Sequence, residues 1–438
     1  MKKRWVVIGL LALLVALNVN VIAAQDATEQ ATEQPTEQAT AEATAQAIPA
    51  SLAQQMAALE QITQQLRGLK AKNEIAHAFP TRQQTIAYLQ ASYDREFPQA
   101  KFDQLKEFYV ALGLLPANID LRTVYLSLLD SQVAGFYDPD TKTMNVIPVV
   151  GNSVGGTLSF TEQIIYVHEF THALQDQYFD LNTLESPEVE AIPDESLAIT
   201  SLVEGDATST MTVYAQDVEM KNPLAAFSLL AEGLQAGDLT LPPGMPPALV
   251  NELLFPYEQG LDFVVALYKH GGEDAINAAF RNPPTTSEQI MHPDKYIAGE
   301  GAQTVALSDQ TAALGSGWEQ EWDIPLGEFY LQEYLATEIP QDAATQAAAG
   351  WGGDHFRVYY DKANNQVAFA LKIAWDTPAD QAEFEAAYTQ YSLKRFGKPV
   401  YGDGCWSDTS GAVCLISGSS GDLITSAPTF DQANALVG

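Results

Sequence analysis

Cysteine is almost missing from this chain: 438 residues contain two, Cys405 and Cys414. A lone pair with eight residues between them is most simply a local disulfide across a turn, with two buried thiols as the alternative. Basic residues are also scarce, 22 against 56 acidic ones, for a net charge of −34. A surface of that sign repels nucleic acid and anionic membrane, which removes both from the list of partners. Long apolar runs are lacking too. The one at 5–17 is short for a membrane span and is followed by Asn18 and Asn20. No GxGxxG or P-loop motif offers a nucleotide site. With six histidines in all, two that share a helix face stand out.

What is present at the N-terminus is an export signal. Met1-Lys2-Lys3-Arg4 is basic, the apolar stretch follows, and Val21-Ile22-Ala23-Ala24 offers small residues for cleavage before Gln25. No cysteine follows the apolar stretch, so no lipid anchor is expected. Membrane contact would arise only through an uncleaved signal segment, and the localisation expected is secreted or extracellular. Residues 25–47 are a Thr/Glu/Gln/Ala repeat without apolar periodicity, an acidic disordered linker.

The rest reads as α+β and mostly helical. Apolar spacing predicts helices from Leu52 to Leu69 and over 81–93, 101–114 and 121–129, a helical N-terminal region spanning 48–130. Short strands at 132–137 and 142–147 flank Asp138-Pro139-Asp140-Thr141, a turn sequence. Such a hairpin beside a cleft can bind an extended peptide along its free edge. A core over 131–300 follows, including a helix at 159–179, a second from Asp194 as N-cap to about Ala215, and a third at 257–270 ending at Gly271-Gly272. The proline-rich 241–247 and the prolines of 283–296 predict turns and a polar loop, and 151–156 a flexible link. The region 301–438 predicts an α+β unit: a glycine turn at 350–354, strands at 355–360 and 366–375, a helix at 378–396 and a cysteine-bearing hairpin near 406–416.

Within 159–179 lies His168-Glu169-Phe170-Thr171-His172. Imidazoles four residues apart lie on one helix face, and the intervening glutamate reaches the same cleft. This pattern suits one Zn²⁺ ion with two nitrogen ligands and a general base beside a water position. Ser159-Phe160-Thr161-Glu162 reads as a capping box for that helix. A third histidine is not spaced to help, because Tyr178 stands where it would fall and Gln175 where a glycine is required. A carboxylate from a following helix is the remaining common solution. Glu204, 32 residues after His172 and beside the apolar stripe Val203, Ala207, Met211, Tyr214, is the choice, with Asp206 and Glu195 as rivals. Asp206 and Asp176 are candidates to hold a ligand histidine's second ring nitrogen.

The stretches Val167-His-Glu-Phe-Thr-His-Ala-Leu-Gln-Asp-Gln177 and Val203-Glu-Gly-Asp-Ala207 resemble the zincin metallopeptidases in their glutamate-ligand, or gluzincin, arrangement. The chain is more closely similar to a group of exported prokaryotic HExxH proteins. Gly135-Phe-Tyr-Asp-Pro139, Ser287-Glu-Gln-Ile-Met-His-Pro-Asp-Lys-Tyr296 and Gly350-Trp-Gly-Gly-Asp354 carry that likeness, which covers roughly 112–375. The gluzincin pattern places a carboxylate four residues past the ligand glutamate, whereas Thr208 stands there. The resemblance implies a zincin-like core around a central HExxH helix and hydrolysis of peptide bonds in peptide or protein substrates. Zinc on His168, His172 and Glu204 would acidify a water, and Glu169 would take its proton and pass it to the leaving amine. His292, Tyr296 and Tyr214 are the candidates to stabilise the oxyanion. Two other functions fit the same ligands: a non-proteolytic exported binding or envelope-associated protein, and a zinc amidase acting on cell-wall peptide.

Overall fold

The computed structural model describes residues 49–132, 135–148, 155–222, 245–398 and 404–438. The expected export signal at 1–24, the expected linker at 25–47 and parts of the expected 151–156 link and 241–247 turn lie outside the described residues.

The fold is mixed α+β with helix predominating. Helices Ala50–Arg67, Arg82–Glu96, Gln99–Ala111 and Leu121–Gln132 form the N-terminal region. The hairpin follows as β2 (Gly135–Asp138) and β3 (Thr143–Val146), antiparallel, with Lys142 at positive φ in the turn. An unforeseen strand, β1 (Ala76–Ala78), lies parallel to β3 on its other side. Three residues of mixed burial carry no periodic signal, which is why sequence reading passes over it.

The HExxH helix runs Phe160–Phe179, and the capping box at Ser159 and Glu162 is formed. Fifteen of its residues are buried. Its apolar side, with Ile164, Val167, Phe170 and Leu174, packs on Leu52, Met56 and Leu59 of the first helix and on Tyr137 and Met144 of the hairpin. Each such side chain contributes about 1.5–3 kcal/mol of burial. The following helix is longer than expected, Pro193–Lys221, and its N-cap is Ile192 rather than Asp194. Pro193 fits the first helical position because it has no N–H to satisfy. Asp194 is instead turned inward, where its carboxylate accepts the Ser287 N–H at 3.1 Å and burial raises its pKa to about 8.

The third long helix, Pro247–Arg281, breaks at Gly271 and Gly272, and helix resumes over 273–281 where sequence reading ends it. The stretch 283–296 is not a loop: it forms two short helices, Ser287–Met291 and Pro293–Ala298, the first capped by Thr286. Proline at a first helical position starts a helix as readily as it breaks one.

The C-terminal region holds a six-stranded antiparallel sheet in the order β4-β5-β6-β9-β8-β7. Its strands are β4 (Trp318–Ile324), β5 (Trp351–Asp361), β6 (Gln366–Trp375), β7 (Cys405–Asp408), β8 (Gly411–Gly418) and β9 (Gly421–Ala427). Of the glycine run at 350–354 only Gly350 lies in a turn; Trp351 onward is the start of β5, carrying a register shift between Trp351 and Gly353. Asp354 there accepts from the Leu326 and Gly327 amides and from Trp351 Nε1, at 2.6, 3.0 and 2.7 Å. One apolar cluster extends from Phe97 to Ile424, so the three sequence regions share a core.

Cys405 and Cys414 are directly paired across β7 and β8 and form a disulfide. Closing so short a loop constrains the unfolded chain modestly. Replacing both with serine should lower stability by about 2–3 kcal/mol. Denaturant midpoints of the oxidised protein and the variant check this, and equal midpoints would refute it.

Candidate metal centre

Three helices build the centre. The HExxH helix presents His168, Glu169 and His172, the helix Pro193–Lys221 presents Glu204, and the helix Pro247–Arg281 adds Tyr257. The last two approach closely at Gly205 and Gly260. A Cβ on Gly205 would stand 2.2 Å from the Gly260 carbonyl oxygen, and one on Gly260 would stand 2.3 Å from the Ser201 carbonyl oxygen. Only glycine at both positions lets the helix backbones touch. Glu204 and Tyr257 lie within one turn of that contact.

His168 Nε2 and His172 Nε2 are 3.0 Å apart, and Glu204 Oε2 is 3.1 Å from the first and 3.5 Å from the second. All three residues are at most 2% exposed. Donors at about 2.0–2.2 Å from a tetrahedral ion stand roughly 3.3–3.5 Å from one another, so the triangle is close to the size of a zinc shell, with two edges a few tenths of an ångström short. The alternative contents of the triangle are protons. Burial would raise Glu204, yet the two imidazoles overcome it and hold the carboxyl at about 2. Burial would lower His172, but Glu204, Glu169 and Gln175 raise it to about 9. Burial keeps His168 below its usual value.

Gln175 defines the tautomer of His172. Its amide nitrogen donates to the Val203 carbonyl at 2.9 Å and to Asp206 Oδ2 at 2.8 Å, so its oxygen must face His172 Nδ1, at 2.9 Å. That makes Nδ1–H a donor and leaves Nε2 to offer its lone pair to a metal. Asp206 is thus one step removed from the ligand, linked through Gln175 rather than bonded to the ring. It is also bound by Arg67 of the first helix, whose Nε lies 2.7 and 2.8 Å from its two oxygens. Arg67 is 1% exposed and also reaches Glu273 and Asn277, at 2.6 and 2.9 Å. Asp176 holds no histidine either. It accepts the Tyr137 hydroxyl at 2.6 Å and Lys142 Nζ at 2.7 Å, tying the hairpin to the helix, while Gln175 already occupies His172 Nδ1.

Glu169 is held at one oxygen only. Oε2 accepts the Tyr137 N–H of β2 at 2.8 Å, while Oε1 is buried without a hydrogen-bond partner among the described residues. Burial pushes this carboxyl up to about 8, against the pull of His172. β2 is an edge of its three-stranded sheet, but at Tyr137 its outward amide is committed to Glu169.

The three oxyanion candidates are engaged elsewhere. Tyr214 donates to Gln163 Oε1 at 2.7 Å, Tyr296 to the Asn282 carbonyl at 2.7 Å, and His292 bonds Glu328 at 3.0 Å. Sequence reading did not single out Tyr257, which is 4% exposed, hydrogen-bonds Glu204 and stacks against His168 with centroids 6.3 Å apart. Its place on the apolar stripe of a long helix gives no signal of this role.

A second carboxylate group, Glu288, Glu300 and Asp376, also clusters closely. Lys295 forms ion pairs with all three, so a cation already stands at the centre of the group.

A family model described as a domain of unknown function (DUF8575) matches residues 270–437. The match begins at the Gly271-Gly272 break and covers the six-stranded sheet, not His168, His172 or Glu204. No curated protein matches the chain, and no solved structure matches it.

Proposed function

We propose that this protein is an exported zinc-dependent peptidase with a zincin-like, two-histidine, one-glutamate centre. The observation that carries the reading is the buried triangle of His168, His172 and Glu204 with the free oxygen of Glu169 beside it. Bound zinc would supply a Lewis acid that lowers the pKa of a water and polarises a scissile carbonyl. The chain's own groups do the rest. Tyr137 N–H pins one Glu169 oxygen and so aims the other, which takes the proton of the attacking water and returns it to the leaving amine. A carboxyl raised toward neutrality by burial suits both halves of that transfer. Tyr257 O–H, now donating to Glu204, is the donor positioned to turn toward a developing oxyanion. Gln175 holds His172 in the tautomer a ligand needs. Export is supported by the disulfide, which oxidising compartments maintain, and by the signal-like N-terminus. Among the described residues no helix is long and apolar enough to cross a membrane.

The test is metal content with hydrolysis of a mixed peptide library. The wild type should bind one equivalent of zinc and lose activity to a chelator. Glu169→Gln should keep the zinc while kcat/KM falls by about 10²–10⁴. Zinc at one equivalent with no peptide cleaved would favour a binding protein instead, and absence of zinc would remove both readings.

A further inference from the structure

A cavity of about 300 Å³ opens on Glu204 and Tyr257. Its walls are largely aliphatic and aromatic, with Leu105, Tyr125, Leu197, Leu249 and Leu253 among them. The charged groups in the wall are all carboxylates: Glu185, Glu190, Glu204 and Glu252. Among the described residues no lysine, arginine or histidine lines it. Glu204 is taken by the proposed metal centre, Glu190 has Lys101 at 3.7 Å, and burial, with the Glu204 charge beside it, pushes the Glu185 carboxyl up to about 8. Glu252 differs. Tyr109 donates to its two oxygens at 2.9 and 2.7 Å, and Tyr330 also bonds it. Both tyrosines are 1% exposed, so they fix this carboxylate rigidly in the cavity wall. Two hydroxyls orient the carboxyl but supply no charge: burial still raises its pKa to about 7 against their pull, so a cation beside it would favour the ionised form.

An occupant of this cavity must satisfy both surfaces. A purely apolar side chain would cover Leu197, Leu249 and Leu253 but would strip water from Glu252 without replacing it, which is unfavourable for an unpaired carboxylate. An anionic one would add like charge. A long aliphatic stem with a cationic end satisfies the leucines along its length and the carboxylate at its tip. We infer that the cavity is a specificity subsite for a basic side chain, lysine or arginine, of a peptide substrate, with Glu252 as the group that meets its charge. This rests on the zinc-peptidase reading for the role of the neighbouring metal centre. The strongly acidic surface would also raise the local concentration of basic peptides.

The zinc-loaded full chain is titrated with four hydroxamates: acetohydroxamate, which probes the metal alone, and the Nα-acetyl hydroxamates of lysine, norleucine and glutamate. The lysine compound should bind about 10–100-fold tighter than norleucine, the gain of one charge-assisted hydrogen bond, and glutamate should bind weakest. Glu252→Gln should erase the lysine preference and leave acetohydroxamate unchanged. Leu253→Trp, which fills the cavity from an apolar wall, should weaken both the lysine and norleucine compounds and spare acetohydroxamate. Norleucine equal to lysine, a preference that survives Glu252→Gln, or Leu253→Trp without effect would overturn the subsite. Failure of acetohydroxamate to bind would instead strike the metal centre itself, and the subsite with it.

Discussion

Alanine at Gly205 should cost at least about 4 kcal/mol of stability and with it the metal centre, a loss in the range reserved for severe core disruption. Helix propensity argues the other way, since alanine in a helix interior is favoured over glycine by about 1 kcal/mol. The tertiary contact decides the sign. The new methyl would sit 2.2 Å from the Gly260 carbonyl oxygen and 2.3 Å from its carbon. Both obstacles are backbone of a long helix, so relief requires the two helices to separate rather than one side chain to turn. Separation pulls Glu204 away from the imidazoles and Tyr257 away from Glu204. Gly260→Ala meets Ser201 backbone in the same way and should behave alike. Chemical denaturation with a parallel zinc titration measures both effects, and a variant as stable as wild type would refute the close-contact account.

Replacing Arg67 with methionine should cost about 3–5 kcal/mol, because Asp206 would be left buried and unpaired. It should also weaken zinc binding by about 10–100-fold, the usual range for losing a group that orients a ligand. The route is residue by residue: Arg67 fixes Asp206, Asp206 fixes the Gln175 amide, and Gln175 fixes the tautomer of His172. Lysine is no substitute, since the guanidinium reaches Asp206, Glu273 and Asn277 through three different nitrogens. Adding Asp206→Asn to Arg67→Met removes the stranded charge and should restore part of the stability. If Arg67→Met lowered stability but left zinc affinity unchanged, Arg67 would be a core ion pair only. The contact also makes the helix Ala50–Arg67 a working part of the metal centre.

Much of the candidate site was legible along the chain. His168, Glu169 and His172 share a face because 3.6 residues make a turn, and the capping box at Ser159 and Glu162 marks where that helix starts. The helix at 378–396 and the strand at 366–375 were likewise readable from period alone. The disulfide followed from a pair of cysteines too close in sequence to close anything but a hairpin. Glu204 was legible by a weaker rule, the oddity of a carboxylate beside an apolar stripe.

The supporting groups were not. The aspartates near the helix looked suited to hold a histidine, but Gln175 does so, because its amide is trapped between two acceptors on another helix. Tyr257 lies 53 residues past Glu204 and Arg67 lies 139 before Asp206. Local periodicity reports which side of a helix is buried, not what it is buried against. The sequence by itself therefore determined the candidate ligand pair, the candidate base and the helix that carries them, since those depend on spacings within one or two turns. Only the tertiary structure decided which carboxylate closes the triangle, which amide sets the tautomer and which cavity adjoins the centre. Those depend on helix crossings that two glycines permit and that no short-range pattern encodes.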